Sequence, residues 1–564
     1  MRLTRIEIEN FKGVGERQVI DLRPITLLFG PNSAGKSTIL QALHYLREVL
    51  ERGNIDPDRT IAGGLIDLGG FATLVHNHEL DRPVTIKVEM DMKEVQGSDA
   101  LPLNDGLSLG DPEFSELQVR YLLGENSEFE DYAVVQGCAL EVEVRWSERE
   151  QAPFVSRLSI EIDGESVASI VSPPQAGRAQ LSSFNFGHPL LRRAVRADEL
   201  PEEGGEALAE SSPLEDEIWV LAREAAADRS TPKTPEDQLR ISVATLRGAL
   251  PAVDKDLVLG VRDPDVSKAE LEERTPRVNG LRTLLSELVL GPVRIVRDFL
   301  SETTYIGPLR DIPSRNYRPQ VTPDEARWAQ GLAAWDLLYN DRTGELMDAV
   351  NHWLTDETRL RTAYRLERVE FREIPVPSRF DQVFERGLQE DDIGELQELY
   401  FSLKTRTEIA LRDFEKGILV APGDVGVGIS QMVPVVVASL RKVGGILSIE
   451  QPELHVHPAI QVGMGDLFIR AVRSDPDRLF SGKSLIVETH SEHIMLRLLR
   501  RVREQTENEI PPGFEGIAPD DLSVIYVESS LEGVRFRPLR VSEDGDFLDR
   551  WPQGFFDERA EELF

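Results

Sequence analysis

Gly30-Pro31-Asn32-Ser33-Ala34-Gly35-Lys36-Ser37-Thr38 fits the pattern G-x-x-x-x-G-K-[ST], and its surroundings decide the fold. Residues 25–29, Ile-Thr-Leu-Leu-Phe, read as a short buried strand. From Ile39 onward the pattern is that of an amphipathic helix with Leu40, Leu43, Leu46 and Leu50 on one side. The motif therefore joins strand to helix, which is the setting its mechanism requires. Its glycines let the backbone curl so that N–H groups and the helix N-terminus face an anion, the way a polyphosphate is held. Lys36 then reaches toward the β/γ-phosphates and the Ser37 hydroxyl toward Mg²⁺. The alternative is a Gly-rich turn with a chance lysine, and the strand–loop–helix context weighs against it.

Two apolar strands farther along end in chemistry-bearing residues. Gly445-Ile446-Leu447-Ser448-Ile449-Glu450 ends in a carboxylate, an arrangement that places an acid beside a phosphate-loop Mg²⁺. Leu485-Ile486-Val487-Glu488-Thr489-His490 places a histidine at a strand's carboxyl end, the edge where parallel sheets bind ligands. Before them, Asp424-Val425-Gly426-Val427-Gly428-Ile429-Ser430-Gln431 is a Gly-rich turn feeding an apolar helix, weak as a signal when taken alone.

Size and composition bound what can be built around these pieces. A chain of 564 residues exceeds one compact core, so about two to four domains are expected. A single cysteine, Cys138, leaves no partner for an intrachain disulfide and suits a reducing cytosol. The opening Met1-Arg2-Leu3-Thr4-Arg5-Ile6-Glu7-Ile8-Glu9 alternates like a strand and lacks the apolar core of a signal peptide. Val433 to Leu440 is among the longest apolar runs and is far too short for a membrane span. The expectation is a soluble, cytoplasmic protein with no membrane partner. A net charge of −35 argues against indiscriminate nucleic-acid binding, which needs clustered Lys and Arg. Arg497, Arg500, Arg501 and Arg503 do cluster on a predicted helix, where a solvated helix face is the favoured reading over a basic groove.

In chain order, Val84 to Met92 alternates as a half-buried strand, and residues 97–115, rich in Gly, Ser, Asp and Pro, read as a loop. Ala139 to Trp146 and Leu158 to Ile162 again alternate, which makes the middle region antiparallel. Asp198 to Glu217 is acidic and poor in large apolar residues, the composition of an exposed connection. Residues 216–300 are mostly helical by pattern, without the sustained heptads of a coiled-coil arm. Tyr305 to Arg310 reads as a strand ending in a turn. Thr322-Pro323-Asp324-Glu325 then supplies an N-cap, a first-turn proline and a capping-box glutamate for one helix carrying Trp328, Leu332, Trp335 and Leu338 into the core.

The motifs in this order resemble the ABC-type ATPase heads of the SMC, RecF and OLD (overcoming lysogenization defect) group. The matching pieces are Asn10-Phe11-Lys12-Gly13 after an opening strand, the Walker A loop, a degenerate signature at Gly428-Ile429-Ser430-Gln431, a Walker B strand at Ile446 to Glu450 and a switch histidine, His490. Glu450-Gln451-Pro452-Glu453-Leu454-His455-Val456-His457-Pro458 and Glu488-Thr489-His490-Ser491-Glu492-His493 look like the OLD-like bacterial AAA-family ATPases found in many genome-defence operons. Trp551-Pro552-Gln553-Gly554-Phe555-Phe556 is similar to a short, uncharacterised C-terminal domain in one branch of that group.

The resemblance implies an α/β fold: an ABC-type P-loop ATPase head with a mixed β-sheet, an antiparallel β lobe and an inserted, mainly helical region. Its implied division is 1–95, the N-terminal lobe with Walker A; 96–300, a β-rich then helical insert; 301–415, a helical connection; 416–510, the C-terminal lobe; and 511–564, a short C-terminal domain. ATP and Mg²⁺ are the implied ligands. Gly30, Asn32, Ser33, Ala34, Gly35, Lys36, Ser37 and Thr38 would hold the nucleotide, with Ser37 and Glu450 at the metal. His490 would sense the γ-phosphate. Gly428, Ser430 and Gln431 would contact the ATP of a second head, giving a homodimer closed by nucleotides, or a higher oligomer. The catalytic set would be Glu450, Gln451, Glu453 and His490. Where many such heads have a glutamate after the Walker B acid, this chain has Gln451, which takes no proton from water. Either Glu453 is the base or hydrolysis is slow, and a helix N-terminal acid beside Pro452 is the competing reading of Glu453.

A zinc site from His455, His457, His490 and His493 is a minor alternative, with no cysteine nearby. A GTPase is disfavoured because no Asn-Lys-x-Asp motif occurs. Two functional classes stay open: an ATPase that gates a separately encoded effector such as a nuclease in anti-phage defence, and a RecF-like DNA-repair clamp that binds DNA directly. Too few residues follow His490 for the Toprim domain of OLD nucleases, so nuclease activity in this chain is not expected. The acidic charge favours the first class.

Overall fold

The computed structural model describes residues 1–60, 63–92, 135–173, 179–185, 188, 241–259, 268–315, 317–389, 391–473 and 483–552. The readings of 97–115 as a loop and of 198–217 as an exposed connection lie outside them.

A six-stranded sheet carries the motifs. Its strands run in the order Thr304–Ile306, Ile446–Glu450, Ser484–Glu488, Ile25–Phe29, Leu522–Ser530 and Gly533–Leu539. All neighbours are parallel except the last pair. Such strands are covered on both faces, which is why they read as unbroken apolar runs. Leu28, Ile446 and Ile486 face one core, while Ile25, Leu27 and Phe29 face the other with Leu447, Ile449, Leu485 and Val487.

The first core lies against a seven-stranded antiparallel sheet of Gln180–Phe184, Glu165–Val171, Ala152–Ile162, Gly137–Ser147, Val84–Asp91, Arg2–Glu9 and Gln18–Asp21. The second lies under the helices Leu332–Asn340, Glu345–Thr355, Val427–Leu440, Pro458–Val472 and Glu492–Thr506. The α/β class, the mixed sheet and the antiparallel lobe are therefore as expected.

Several local readings change. The helix Thr38–Arg52 is buried on every side from Thr38 to Leu50, because it is sandwiched between the sheets and the helix Lys268–Ser301. One apolar stripe does not describe it. Residues 241–259 form short strand pairs (Ile241–Ser242 with Val258–Leu259, Thr245–Arg247 with Leu250–Pro251), so among the described residues of 216–300 the helical reading holds from Lys268. The helix assigned to start at Thr322 is two helices. Asp324, not Thr322, caps Glu325–Ala329, its Oδ1 accepting from the Arg327 N–H at 2.9 Å, and Gly331 at φ 79° precedes Leu332–Asn340. Trp328, Trp335 and Leu338 are buried as expected.

Neither does the antiparallel sheet stop at residue 95, since Val84–Asp91 pairs along its length with Gly137–Ser147. The parallel sheet likewise passes residue 511, because Leu522–Ser530 lies directly beside Ile25–Phe29. Trp551 stacks edge-on to Phe29 with ring centroids 5.6 Å apart.

The arginine cluster is a solvated face in part, with Arg500 and Arg503 exposed. Arg501 is 1% exposed, with Nε 2.7 Å from Asp466 and a further bond to Glu504, and Arg500 pairs with Glu504. No described helix is long and apolar enough to cross a membrane.

Candidate functional site

The carboxyl ends of four parallel strands converge on the loop 30–37. Gly30 leaves its strand at φ 149°, and a Cβ there would meet the Val527 carbonyl oxygen at 2.3 Å, so only glycine fits. Asn32 and Ser33 are exposed, Ala34 is buried, and Gly35 turns at φ 95° into the helix that starts at Thr38. Lys36 is 4% exposed and curls over the loop, its Nζ donating to the carbonyls of Gly30 at 3.1 Å and Pro31 at 2.9 Å. Burial pulls its ammonium below the usual range against the opposing pull of Glu488.

Glu450 and Glu488 sit opposite each other in register at the ends of neighbouring strands. Their contacts differ. The Ser37 hydroxyl donates to Glu488 Oε2 at 2.7 Å, and Lys36 Nζ lies 3.7 Å from Glu488 Oε1. Glu450 instead accepts from the Tyr305 hydroxyl at 3.1 Å. Burial first, and the neighbouring Glu488 second, push the Glu450 carboxyl up to about 7.

Arg310 was not among the expected site residues. It is 3% exposed, and its Nη2 donates to the carbonyls of Glu450 at 2.7 Å and Gln451 at 3.1 Å. Its Nε and Nη1 are buried with no hydrogen-bond partner among the described residues. Burial lowers its guanidinium to about 10 despite the attraction of Glu453 and Glu450. The signals for these residues were faint: a carboxylate in an apolar strand for Glu488, and a lone arginine after a strand-ending turn for Arg310.

Gln451 adopts φ 44° and donates its own N–H to the Glu488 carbonyl at 2.7 Å. Glu453 caps no helix: the next one starts at Pro458, with His457 as its N-cap. The Glu453 carboxylate accepts from Thr489 Oγ1 at 2.8 Å and from the His490 N–H at 2.7 Å. Burial raises it, against those bonds. Burial, with Lys36 adding to it, lowers His490, which favours the neutral ring.

The signature segment is nearby but turned inward. A Cβ on Gly428 would sit 2.2 Å from the His455 carbonyl oxygen, which ties this turn to the one after Glu450. Ser430 is fully buried and donates to the Pro422 carbonyl at 2.6 Å, and Gln431 Nε2 donates to the Arg310 carbonyl at 3.4 Å. Both side chains are thus turned into the subunit that carries them. The exposed part of the segment is Gly426 and Val427, at the start of the helix Val427–Leu440. Among the described residues no three His, Cys, Asp or Glu side chains gather as a metal cluster, so the histidine zinc site has no support.

Residues 1–147 match the AAA ATPase domain family, and residues 517–564 match a family described as a protein of unknown function, DUF3696. No curated protein matches the chain. Similar solved structures include an SMC head bound to the C-winged helix domain of ScpA, at 8% identity and TM-score 0.36 over 96% of this chain and 98% of that one. Another is the SMC head domain from Thermotoga maritima, at 10% identity and TM-score 0.34 over 96% and 100%. A third is an Smc head domain with an extended coiled coil bound to the C-terminal domain of ScpA derived from Pyrococcus furiosus, at 9% identity and TM-score 0.35 over 100% and 98%.

Proposed function

We propose that this chain, an ATPase of the SMC/RecF-type ABC class, binds and hydrolyses ATP with Mg²⁺, pairs head to head around two nucleotides and thereby gates a separately encoded effector. One observation carries the nucleotide part: Lys36 and Ser37 meet the Glu488 carboxylate at the end of one parallel strand, with Glu450 opposite it in register on the next. The hard oxygen donors Ser37, Glu450 and Glu488 suit Mg²⁺. Bound there, the cation would supply charge neutralisation for the phosphates.

The chain's own residues would then do the following. The loop N–H groups and Lys36 hold the phosphates. Glu453, oriented by Thr489 and His490, takes a proton from the attacking water, while Gln451 orients that water. Arg310 fixes the backbone from which both project. His490, on the same turn as Thr489, would sense the γ-phosphate.

The paired state would close through the exposed N-terminus of the helix Val427–Leu440, whose free N–H groups favour an anion such as the other subunit's phosphates. Val427→Asp puts a negative charge at that point without disturbing a buried contact, since Val427 is 46% exposed. ATP binding to the single head should persist while ATP-dependent dimer is lost, as read by light scattering with a non-hydrolysable analogue. An undiminished dimer would refute this surface.

The effector reading draws support from an arm built on the antiparallel pair Tyr364–Arg372 and Thr405–Asp413. It leaves Val376, Phe384 and Phe401 exposed by 82%, 71% and 72%. Its helices Arg379–Arg386 and Asp392–Ser402 carry two arginines against five acids. A partner with a basic and apolar surface fits that face better than a second copy, which would bring like charges together. The DNA-clamp alternative lacks such support here, because Arg500 and Arg501 of the arginine cluster pair with acids.

A further inference from the structure

The side chain of Glu488 holds the two groups a nucleotide would need. Its strand, Ser484–Glu488, is otherwise free of charge and buried throughout. An ionised carboxylate in such a place is unfavourable unless it is paired. Its partners are the Ser37 hydroxyl at 2.7 Å and the Lys36 ammonium at 3.7 Å, and the Lys36 and Glu488 side chains are only 3% and 9% exposed. Glu450, the acid expected at the metal, stands across the register and is turned to Tyr305 instead.

We propose that Glu488 is a resident anion of the phosphate loop that makes nucleotide entry conditional on a divalent cation. This inference rests on the reading of residues 30–38 as a nucleotide site. Lys36 is the one lysine of residues 30–38, and Glu488 already faces it. A metal-free triphosphate entering there brings several negative charges against Glu488 and Glu450 in a water-poor setting, where like charges repel strongly. A cation arriving with the nucleotide reverses the balance. Glu488 turns from Lys36 to the cation, beside Ser37, and the freed ammonium serves the phosphates. One carboxylate thus acts as an anion guard before binding and as a metal ligand after it.

The test compares affinities for a fluorescent ATP analogue in EDTA and in Mg²⁺, for the wild type, Glu488→Gln, Glu488→Asp and Lys36→Ala. The amide of Glu488→Gln is isosteric and can still accept from Ser37, so the fold is preserved. Wild type should bind much more weakly in EDTA. Glu488→Gln should gain about tenfold or more in metal-free affinity, the size of one charge-assisted contact. It should also lose most of its dependence on Mg²⁺, while Glu488→Asp, which keeps the charge, retains it. Mn²⁺ binding followed by paramagnetic resonance should weaken in Glu488→Gln alone of the two. Equal wild-type affinities in EDTA and Mg²⁺ would overturn the proposal without recourse to any variant. An unchanged cation dependence in Glu488→Gln would do the same, provided Lys36→Ala has lost affinity. Full affinity in Lys36→Ala would instead overturn the nucleotide site itself.

Discussion

Glu453→Gln is expected to lower ATP turnover by about 10²–10⁴-fold and to leave ATP affinity intact. A general base must be unprotonated and within hydrogen-bond reach of the water, and a neutral amide meets only the second condition. The structure removes the competing role, since no helix begins at Glu453 and both its oxygens are occupied by Thr489 and His490. Glutamine keeps this frame: its carbonyl can accept from the His490 N–H, and its amide can donate to the threonine hydroxyl. Loss of turnover should therefore come without unfolding, and the nucleotide-bound dimer should accumulate. Gln451→Glu adds a second reading. A large gain in rate would mean that the natural protein is tuned for slow hydrolysis. Unchanged turnover in both variants would exclude either side chain from acting on the water.

Arg310→Met should be the most destabilising single change at the site, about 3–5 kcal/mol. The methionine fills a similar volume but strips the Arg310 bond from the buried Glu450 carbonyl, at about 1–3 kcal/mol, and leaves the Gln451 carbonyl with the Leu454 N–H at 3.2 Å. It also removes the positive charge that faces Glu450 and Glu453. The expected readout is a markedly lower thermal midpoint, with turnover depressed in whatever fraction remains folded. Arg310→Lys keeps the charge but not the planar fork that spans two carbonyls, so it should fall between the two. A variant Arg310→Met as stable and active as wild type would show that the guanidinium does not brace the turn after Glu450.

These two residues also show where sequence reading ends. The phosphate loop was legible because its chemistry is local: nine consecutive residues carry the glycines, the lysine and the hydroxyl, and the flanking strand and helix announce themselves by periodicity. The strands ending at Glu450 and His490 were legible for the same reason. Contacts made across the fold were not. Ser37 meets Glu488 at a separation of 451 residues, and only the strand order places the two side by side. Arg310 meets Glu450 140 residues away through main-chain carbonyls, which leave no trace in side-chain identity. Ser430 stands in a degenerate motif, but its direction depends on how the turn packs under Pro422, and that packing points it inward. The helix after the loop looked one-sided because its polar residues are polar. Its Arg47 and Glu48 are nonetheless buried, Arg47 through its pair with Glu325. The pairing of Val84–Asp91, before residue 95, with Gly137–Ser147, after it, is another such contact across the fold.

The central claim, that residues 30–38 hold a nucleotide through Lys36, is tested most directly by titrating ATP with Mg²⁺ into wild type and Lys36→Ala. Removing a charge-assisted contact of about 1.5–3 kcal/mol should weaken binding by about 10- to 150-fold, read well below the thermal midpoint of the nucleotide-free variant, which falls because Glu488 loses its ammonium partner. Equal affinity in the two proteins would contradict the claim.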